Sequence, residues 1–508
     1  MDYRSGMRIL WIDDEIDLLR PFVIGLRSKG YDVETATNGP DGLEMLRTGD
    51  FDLVLLDQIM SGMAGLDVLK RVKEIDSNIL VTMVTKSDEE ALVDDAYGEL
   101  VDDFLIKPFT PAQLLAVIKR LLEKRRLIIE RVGRQYTSAM AESRKLSDWK
   151  DWVAFYRVLD HWQAMLNRYG DEGLLQVQEG RWRQSDEEFS RFVVDSYLGW
   201  VRGDGPLLSH RLLEDTVRPL WEEKQTYFIL LDAMRADQWG AIAPLLREYF
   251  DVAVSHYFSL LPTATPYSRN AIFSGLLPLD IIRRYPRYWV FEETGQNRFE
   301  KELLTELLSR LRFKGRSAFY KYPTGADIER ERGVLLDSEV RFTVIVLNLL
   351  DQLIHSIQGT RLLEEMIPDE AALASATRAW FASSFVFQLL KTLARRDCRV
   401  VVTSDHGFLR VRRPVRIHGG REMSANLRYK HGAALRADER KVLLLQDPEQ
   451  FMLPVEHKSD RFAIATSDYY FIYPTKPREY ERTYKRSYQH GGISLREMVV
   501  PCAVLTPR

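Results

Sequence analysis

Short apolar runs alternate with helix-patterned stretches at both ends of this 508-residue chain, and that rhythm restricts it to α/β architecture. Between residue 7 and about residue 124 the runs in MRILWIDDE, FDLVLLDQIM, VTMVTKSD and DDFLIKPF bring Asp13 and Asp14, Asp57, Thr85 and Lys107 to successive run ends. In an open parallel sheet the carboxyl ends of neighbouring strands face one crevice. Three carboxylates gathered there form a hard oxygen site suited to Mg²⁺, which takes few protein carboxylates and keeps several waters. The expected fold is therefore a doubly wound parallel sheet over residues 1–124, a helical linker bundle over 125–212, and a second α/β domain over 213–508.

Each signal has an ordinary explanation when taken alone. Paired aspartates after a strand can open the next helix, where negative charge suits the helix dipole. Asp57, Thr85 and Lys107 at matching run ends leave that explanation little room. The pattern resembles the receiver domain of bacterial response regulators. The resemblance implies that Asp57 accepts a phosphoryl group, that Asp13, Asp14 and Asp57 hold Mg²⁺, and that Thr85 and Lys107 bind the phosphoryl oxygens. It also implies that Phe104 is the switch aromatic, where tyrosine is common, and that a cis bond precedes Pro108, an isomer X-Pro bonds adopt at small cost.

The C-terminal part carries a different chemistry. VVVTSDHGF delivers Asp405 and His406, FILLDAMRAD offers Asp232, VIVLNLLDQLIH offers Asp351 and His355, YQHGGIS offers His490, and LPTATPYSRNAIFSG offers Thr265. Three Asp, three His and a hydroxyl are the ligands and nucleophile that two zinc-like ions need for phosphoryl transfer. Asp351 and His355 are four residues apart, so a helix turns both toward one point. The order and wording resemble the PglZ domain of the alkaline phosphatase superfamily over roughly the last 290 residues. By that resemblance Asp351, His355 and His490 hold one zinc ion and Asp232, Asp405 and His406 the other, with Thr265 the bridging nucleophile. Thr263 reads as a turn or cap residue, and His418 and His431 as decoys, because the family's last histidine precedes the closing strand MVVPCAVL.

Arg269 and Asn270, just after Thr265, are placed to bind the transferring phosphoryl group, although Asn270 equally suits support of its helix. Arg410, Arg412, Arg413, Arg416, Arg421, Arg428 and Lys430 fit either a loop that grips further phosphates of a nucleotide or oligonucleotide, or a solvated basic edge. The 74 acidic and 71 basic residues nearly cancel, which gives no reason for nonspecific nucleic-acid binding. Cys398 and Cys502 lie in or beside apolar runs and read as buried thiols of a cytoplasmic protein. No run reaches transmembrane length without charges.

Between the two α/β regions the pattern is helical. The last helix of the first region, PAQLLAVIKRLLEKRRLIIERV, meets no Gly or Pro before Gly133 and so is expected to run on as a connector. Trp152, Phe155, Leu159 and Trp162 follow helical spacing, which points to core packing rather than a base-stacking platform. Receiver and PglZ domains in this order are similar to a family of response regulators linked to type IX secretion. That likeness implies a sensor histidine kinase as donor, homodimerisation on phosphorylation, and contact with a secretion-machinery protein and a sigma factor. Two functions stand as alternatives: a phosphodiesterase acting on nucleotides or (cyclic) oligonucleotides, or a metal-binding signalling scaffold. The C-terminus shows no helix-turn-helix with a basic recognition helix, which argues against a transcription factor.

Overall fold

The computed structural model describes residues 7–76, 79–86, 100–142, 146–169, 172–292, 295–323, 328, 330–420, 423–475 and 477–508. Two compact units emerge: Met1–Glu142 with Met165–Leu175, and Ser143–Ala164 with Gln176–Arg508.

In the first unit, β1 (Arg8–Ile12), β2 (Asp32–Ala36), β3 (Leu53–Asp57), β4 (Leu80–Thr85) and β5 (Asp103–Ile106) form one parallel sheet in the order β2-β1-β3-β4-β5. Side chains alternate between its faces. Ile9, Trp11, Leu53 and Leu55 join one apolar cluster, and Leu10, Ile12, Val54 and Leu56 join the other. The helices α1 (Arg20–Ser28), α2 (Gly39–Thr48) and α3 (Gly65–Ile75) cover these faces, which is why the strands read as continuous apolar runs. Gly65 opens α3 against the end of β3, where an added Cβ would lie 2.2 Å from the Asp57 carbonyl oxygen. The Lys107–Pro108 bond is cis. Helix α4 (Pro111–Glu142) is 32 residues long and passes Gly133 without a stop, so the expected boundary at residue 124 falls inside a continuous helix.

The linker helices α5 (Trp149–Tyr169) and α6 (Glu172–Val201) contribute residues 149–164 and 176–201 to the second unit. Trp152, Phe155, Leu159 and Trp162 are buried, as core residues. Instead of closing a small domain of their own, these helices share a core with the second α/β domain. Trp149, Phe189 and Trp200 all pack on Phe258 of β7 (Phe250–Phe258). The main sheet of this unit also contains β6 (Gln225–Leu231), β8 (Arg316–Tyr322), β9 (Val340–Leu347), β10 (Cys398–Thr403) and β11 (Val499–Pro507). Its order is β7-β11-β10-β6-β9-β8, with β10, β6, β9 and β8 parallel and β11 antiparallel to both neighbours.

Apolar clusters lie on both faces of this sheet, with Tyr227, Ile229 and Leu231 in one and Phe228 and Leu230 in the other. The helices that bear on the site are α7 (Ala236–Leu246), α8 (Thr265–Ser274), α9 (Glu300–Arg310), α10 (Leu349–Ile357) and the short α11 (Leu495–Met498). Cys398 and Cys502 are buried free thiols. No described helix is long and apolar enough to cross a membrane.

Candidate metal centres

At the carboxyl ends of β6 and β10 the chain turns sharply and leaves Asp232 and Asp405 side by side. Ala233 adopts a left-handed φ of 61°, a conformation that costs a non-glycine residue roughly 1–2 kcal/mol. In return its N–H reaches Asp405 Oδ1 at 3.4 Å, and the Met234 N–H donates to Ser404 Oγ at 2.8 Å. Asp232, Asp405 and His406 each present one ligand atom, all within 4.8 Å of one another and all buried. One turn into α10, Asp351 and His355 meet His490 in a second triad of the same dimensions. The rings of His406 and His490 stack with centroids 4.4 Å apart, so the two triads adjoin.

Lone pairs inside these triads lack hydrogen-bond partners. Asp232 Oδ1, Asp351 Oδ1 and Asp405 Oδ2 are buried without one. Buried carboxylate oxygens in that condition are costly unless a cation lies among them. The histidines are arranged to match. His406 Nδ1 lies 3.0 Å from the Gly407 carbonyl, which can only accept, so the proton sits on Nδ1 and the Nε2 lone pair points into the cluster. His355 Nε2 and His490 Nε2 face each other at 3.3 Å, and both lie near Asp351 Oδ1, at 3.3 and 3.5 Å. Burial and then His406 push His490 down to about 3, which keeps its imidazole neutral. The adjacent Asp351 carboxylate raises His355. Burial raises Asp232 well above the usual carboxylate range, with Arg269 opposing. Burial acts in the same direction on Asp405, but His406 and Arg269 together hold it below that range. The donor set, mixed Asp and His with inward lone pairs, fits a zinc-like cation in each triad.

Thr265 is the first residue of α8, and Pro266 follows where a missing N–H costs nothing. Its Oγ1 lies 3.1 Å from His406 Nε2, beside the first triad, and its carbonyl accepts from Asn297 at 3.1 Å. Thr263 is elsewhere engaged, donating to the Gly492 carbonyl at 2.7 Å. Arg269, one turn along α8, is buried and bound to Asp232 at 2.8 Å, Glu300 at 2.6 Å and Asn348 at 3.2 Å. Asn270 Nδ2 donates to the Gln296 carbonyl at 3.1 Å, and its Oδ1 is buried without a partner. Glu300 and Asn348 were not singled out from sequence. Glu300 sits in the amphipathic stretch FEKELLTELL, where nothing distinguishes it from a surface glutamate.

The basic segment after His406 is largely committed to internal partners. Arg413 pairs with Glu187 at 2.6 Å and with Asp468, Arg412 with Glu179, and Arg410 donates to the Pro368 and Arg486 carbonyls. Arg428 is fully buried on Glu497, and Lys430 is buried against the Ser424 carbonyl and the Tyr473 hydroxyl. Arg416 is exposed, and Arg421 lies outside the described residues. His418 and His431 belong to neither triad.

In the first unit Asp13, Asp14 and Asp57 gather as the strand ends require, each with an oxygen within 4.8 Å of the others. Lys107 Nζ bridges Asp13 at 2.8 Å and Asp57 at 3.1 Å. Burial, then Asp13, push Asp57 up to about 6 against the pull of Lys107. Thr85 is buried at the end of β4, and Phe104 is half-buried beside the second apolar cluster.

A receiver-type sheet with its acidic pocket, followed in the same chain by a sheet carrying two Asp/His triads, defines a response regulator with an alkaline-phosphatase-like output domain. The models of three families match in order: the response regulator receiver domain over residues 9–119, the PorX response regulator linker domain over 128–201, and the BREX system PglZ alkaline phosphatase-like domain over 212–505. The chain belongs to the PglZ family, with the domain order of a PorX-like protein. Curated relatives such as the following match about a quarter of the chain. The transcriptional regulatory protein DltR of Streptococcus agalactiae is 37% identical over 22% of this chain and 50% of its own length. The CpxR homolog of Haemophilus influenzae is 39% identical over 23% of this chain and 51% of its own. The chain thus spans about half the length of these relatives. Among solved structures, a receiver domain protein from Methanospirillum hungatei is 30% identical, covering 24% of this chain and 96% of that one at a TM-score of 0.22. TrrA from Thermotoga maritima, in complex with Mg²⁺ and BeF, is 29% identical over 23% and 98%, with a TM-score of 0.21.

Proposed function

We propose that the phosphorylated receiver of this chain controls a dinuclear-zinc phosphodiesterase acting on nucleotides or (cyclic) oligonucleotides. The observation that carries this reading is the adjoining pair of Asp/His triads, with unpartnered ligand atoms inside and Thr265 Oγ1 at their edge. Asp351, His355 and His490 would hold one ion and Asp232, Asp405 and His406 the other. When bound, the ions supply charge neutralisation for the phosphoryl oxygens and favour an ionised hydroxyl. Thr265 Oγ1 forms the new bond to phosphorus in line with the bond that breaks, and the leaving alcohol departs. Water then releases the phosphoryl group from Thr265. Arg269 acts through Asp232 and Glu300, holding the carboxylate in place with its guanidinium rather than gripping substrate. Asn270, with a free amide oxygen, remains the nearer candidate for a substrate contact.

On the input side, Asp57 accepts the phosphoryl group from a sensor histidine kinase, with Mg²⁺ held by Asp13, Asp14 and Asp57. Lys107 and Thr85 bind the new oxygens, Phe104 moves with them, and the altered face favours a homodimer. The PorX-like domain order extends this to a cytoplasmic regulator that meets a secretion-machinery protein and a sigma factor.

The test is hydrolysis of bis-p-nitrophenyl phosphate, p-nitrophenyl phosphate and cyclic oligonucleotides by zinc-loaded protein. Diester cleavage that disappears in Thr265→Val supports the reading. Two bound metals with no cleavage of any ester would leave the signalling scaffold in its place.

A further inference from the structure

His490 is presented by a turn that cannot hold itself. Gly491 has a φ of 116°, and a Cβ added to Gly492 would fall 2.2 Å from an Arg428 nitrogen, so these two positions carry no anchoring side chain, while Ile493 beyond them pairs through its backbone with Ala465 and Ser467. Its anchors come from neighbours. Within the PglZ domain, Thr263 Oγ1 donates to the Gly492 carbonyl and receives the Gly491 N–H at 3.2 Å, while Glu497 Oε1 accepts from the Gly492 N–H at 2.8 Å. On the opposite side the partners come from linker helix α6. Asp186 Oδ1 accepts from the Leu495 N–H at 2.9 Å, and Ser190 Oγ lies 3.0 Å from the Ile493 carbonyl. The single Ser190 proton serves either that carbonyl or the Asp186 carbonyl at 2.6 Å, and the same oxygen accepts from the Ser467 N–H at 3.1 Å.

Asp186 and Ser190 are four residues apart, so they occupy one face of α6, and both are buried. A linker that only spaced two domains would fill that face with apolar residues, because buried polar groups cost free energy unless bonded. Here the polar face is spent on a turn that begins at a ligand-bearing histidine.

We propose that α6 positions His490 through Asp186 and Ser190, and so sets the affinity of the metal held by Asp351, His355 and His490; this rests on reading that triad as a metal site. Hydrogen bonds tolerate displacements of only a few tenths of an ångström before weakening. A shift of α6 therefore releases the turn or moves the His490 ring, and the linker controls one metal site without touching a ligand.

The experiment uses the full chain with Asp186→Leu, Ser190→Ala and Asp186→Asn, the last keeping an acceptor oxygen at similar volume. Zinc affinity is measured by competition with a chromophoric chelator, and backbone hydrogen exchange of residues 489–497 is followed in metal-free protein. Asp186→Leu and Ser190→Ala should weaken one of two zinc ions by about tenfold, the usual scale for groups that orient a ligand, and leave the other within about twofold. Asp186→Asn should match wild type. Exchange at 489–497 should quicken in Asp186→Leu while amides of β10 stay protected. Unchanged affinity and exchange in Asp186→Leu would overturn the proposal, as would equal loss in Asp186→Asn or joint loss of both zinc ions and β10 protection. Wild-type protein that takes up no zinc would end the metal reading instead. The exchange arm then decides whether α6 holds the turn, and unchanged exchange still overturns it.

Discussion

The acidic pocket of the receiver and the paired triads of the PglZ domain are built the same way and differ in how they handle charge. Both place carboxylates at the carboxyl ends of parallel strands, where adjacent strands converge. The receiver gathers oxygen ligands only and supplies its own cation, Lys107, which sits between Asp13 and Asp57. The PglZ domain mixes imidazoles with carboxylates, buries most of them, and keeps its balancing cation, Arg269, on the outer oxygens of Asp232. An all-oxygen pocket holding a displaceable lysine suits a labile Mg²⁺ and a phosphoryl group that comes and goes. A mixed nitrogen and oxygen cluster suits zinc that stays. Under the proposed function, the contrast is between a switch and a resident catalyst.

The strongest attack on this contrast removes a ligand from the PglZ site alone. Asp405→Ala should drop zinc from two ions per chain to one by elemental analysis and abolish diester cleavage, while leaving receiver Mg²⁺ binding as in wild type. Retention of both ions would mean that the triad is not a zinc site. Next in size, Thr265→Val should lower diester turnover by about 10³-fold or more, since it removes the attacking oxygen at nearly constant volume. Zinc content should not change in Thr265→Val, whereas Thr263→Val, which frees the turn after His490, should lower turnover less and through weaker zinc binding; equal turnover in Thr265→Val and wild type would clear Thr265 of the nucleophile's role.

Arg269→Met asks whether the outer cation matters. Breaking a buried pair from one side costs about 3–5 kcal/mol, and urea unfolding of the metal-free protein should register a loss of that order. Stability within error of wild type would show that Asp232 and Glu300 need no guanidinium. A smaller effect is expected at the receiver. Beryllium fluoride with Mg²⁺ should shift the monomer–dimer equilibrium of wild type in sedimentation and fail to do so in Asp57→Ala. Equal shifts in both would detach dimerisation from the acidic pocket. Smallest of all, Arg416→Gln should change stability by less than about 0.5 kcal/mol, because this residue of the basic segment is exposed.

Much of the site was legible because strand ends are easy to read. An apolar run followed by Asp, as in FILLDAM or VVVTSDHG, places the carboxylate at the edge of a sheet whatever its neighbours are. The i, i+4 step from Asp351 to His355 likewise needs only the helical repeat. Arg269 and the basic segment were harder. A sequence shows that an arginine is near a nucleophile, but not that its Nε and Nη1 are bonded to Glu300 and Asp232. Arg413, Arg428 and Lys430 fitted either a phosphate grip or a solvated basic edge for the same reason, and each is instead engaged by Glu187 and Asp468, by Glu497, or by a carbonyl and a tyrosine. The linker was legible only in part, for a related reason. Its aromatic spacing correctly indicated a core, while the identity of the opposing surface, Phe258 of β7, was hidden.

By itself, then, the sequence determined the α/β rhythm, the strand-end carboxylates and the helical spacing of Asp351 and His355, while the grouping of Asp and His into two triads was read from family resemblance. The first three depend on local periodicity and on residue chemistry, which act over a few neighbours. The tertiary structure alone decided that Thr265 faces His406, that His355 meets His490 across 135 positions, that Arg269 serves Asp232, and that Asp186 and Ser190 reach the turn after His490. The physical reason is that a hydrogen bond or a ligand contact is satisfied by any suitable atom within about 3 Å, and chain folding, not chain order, chooses which atom that is.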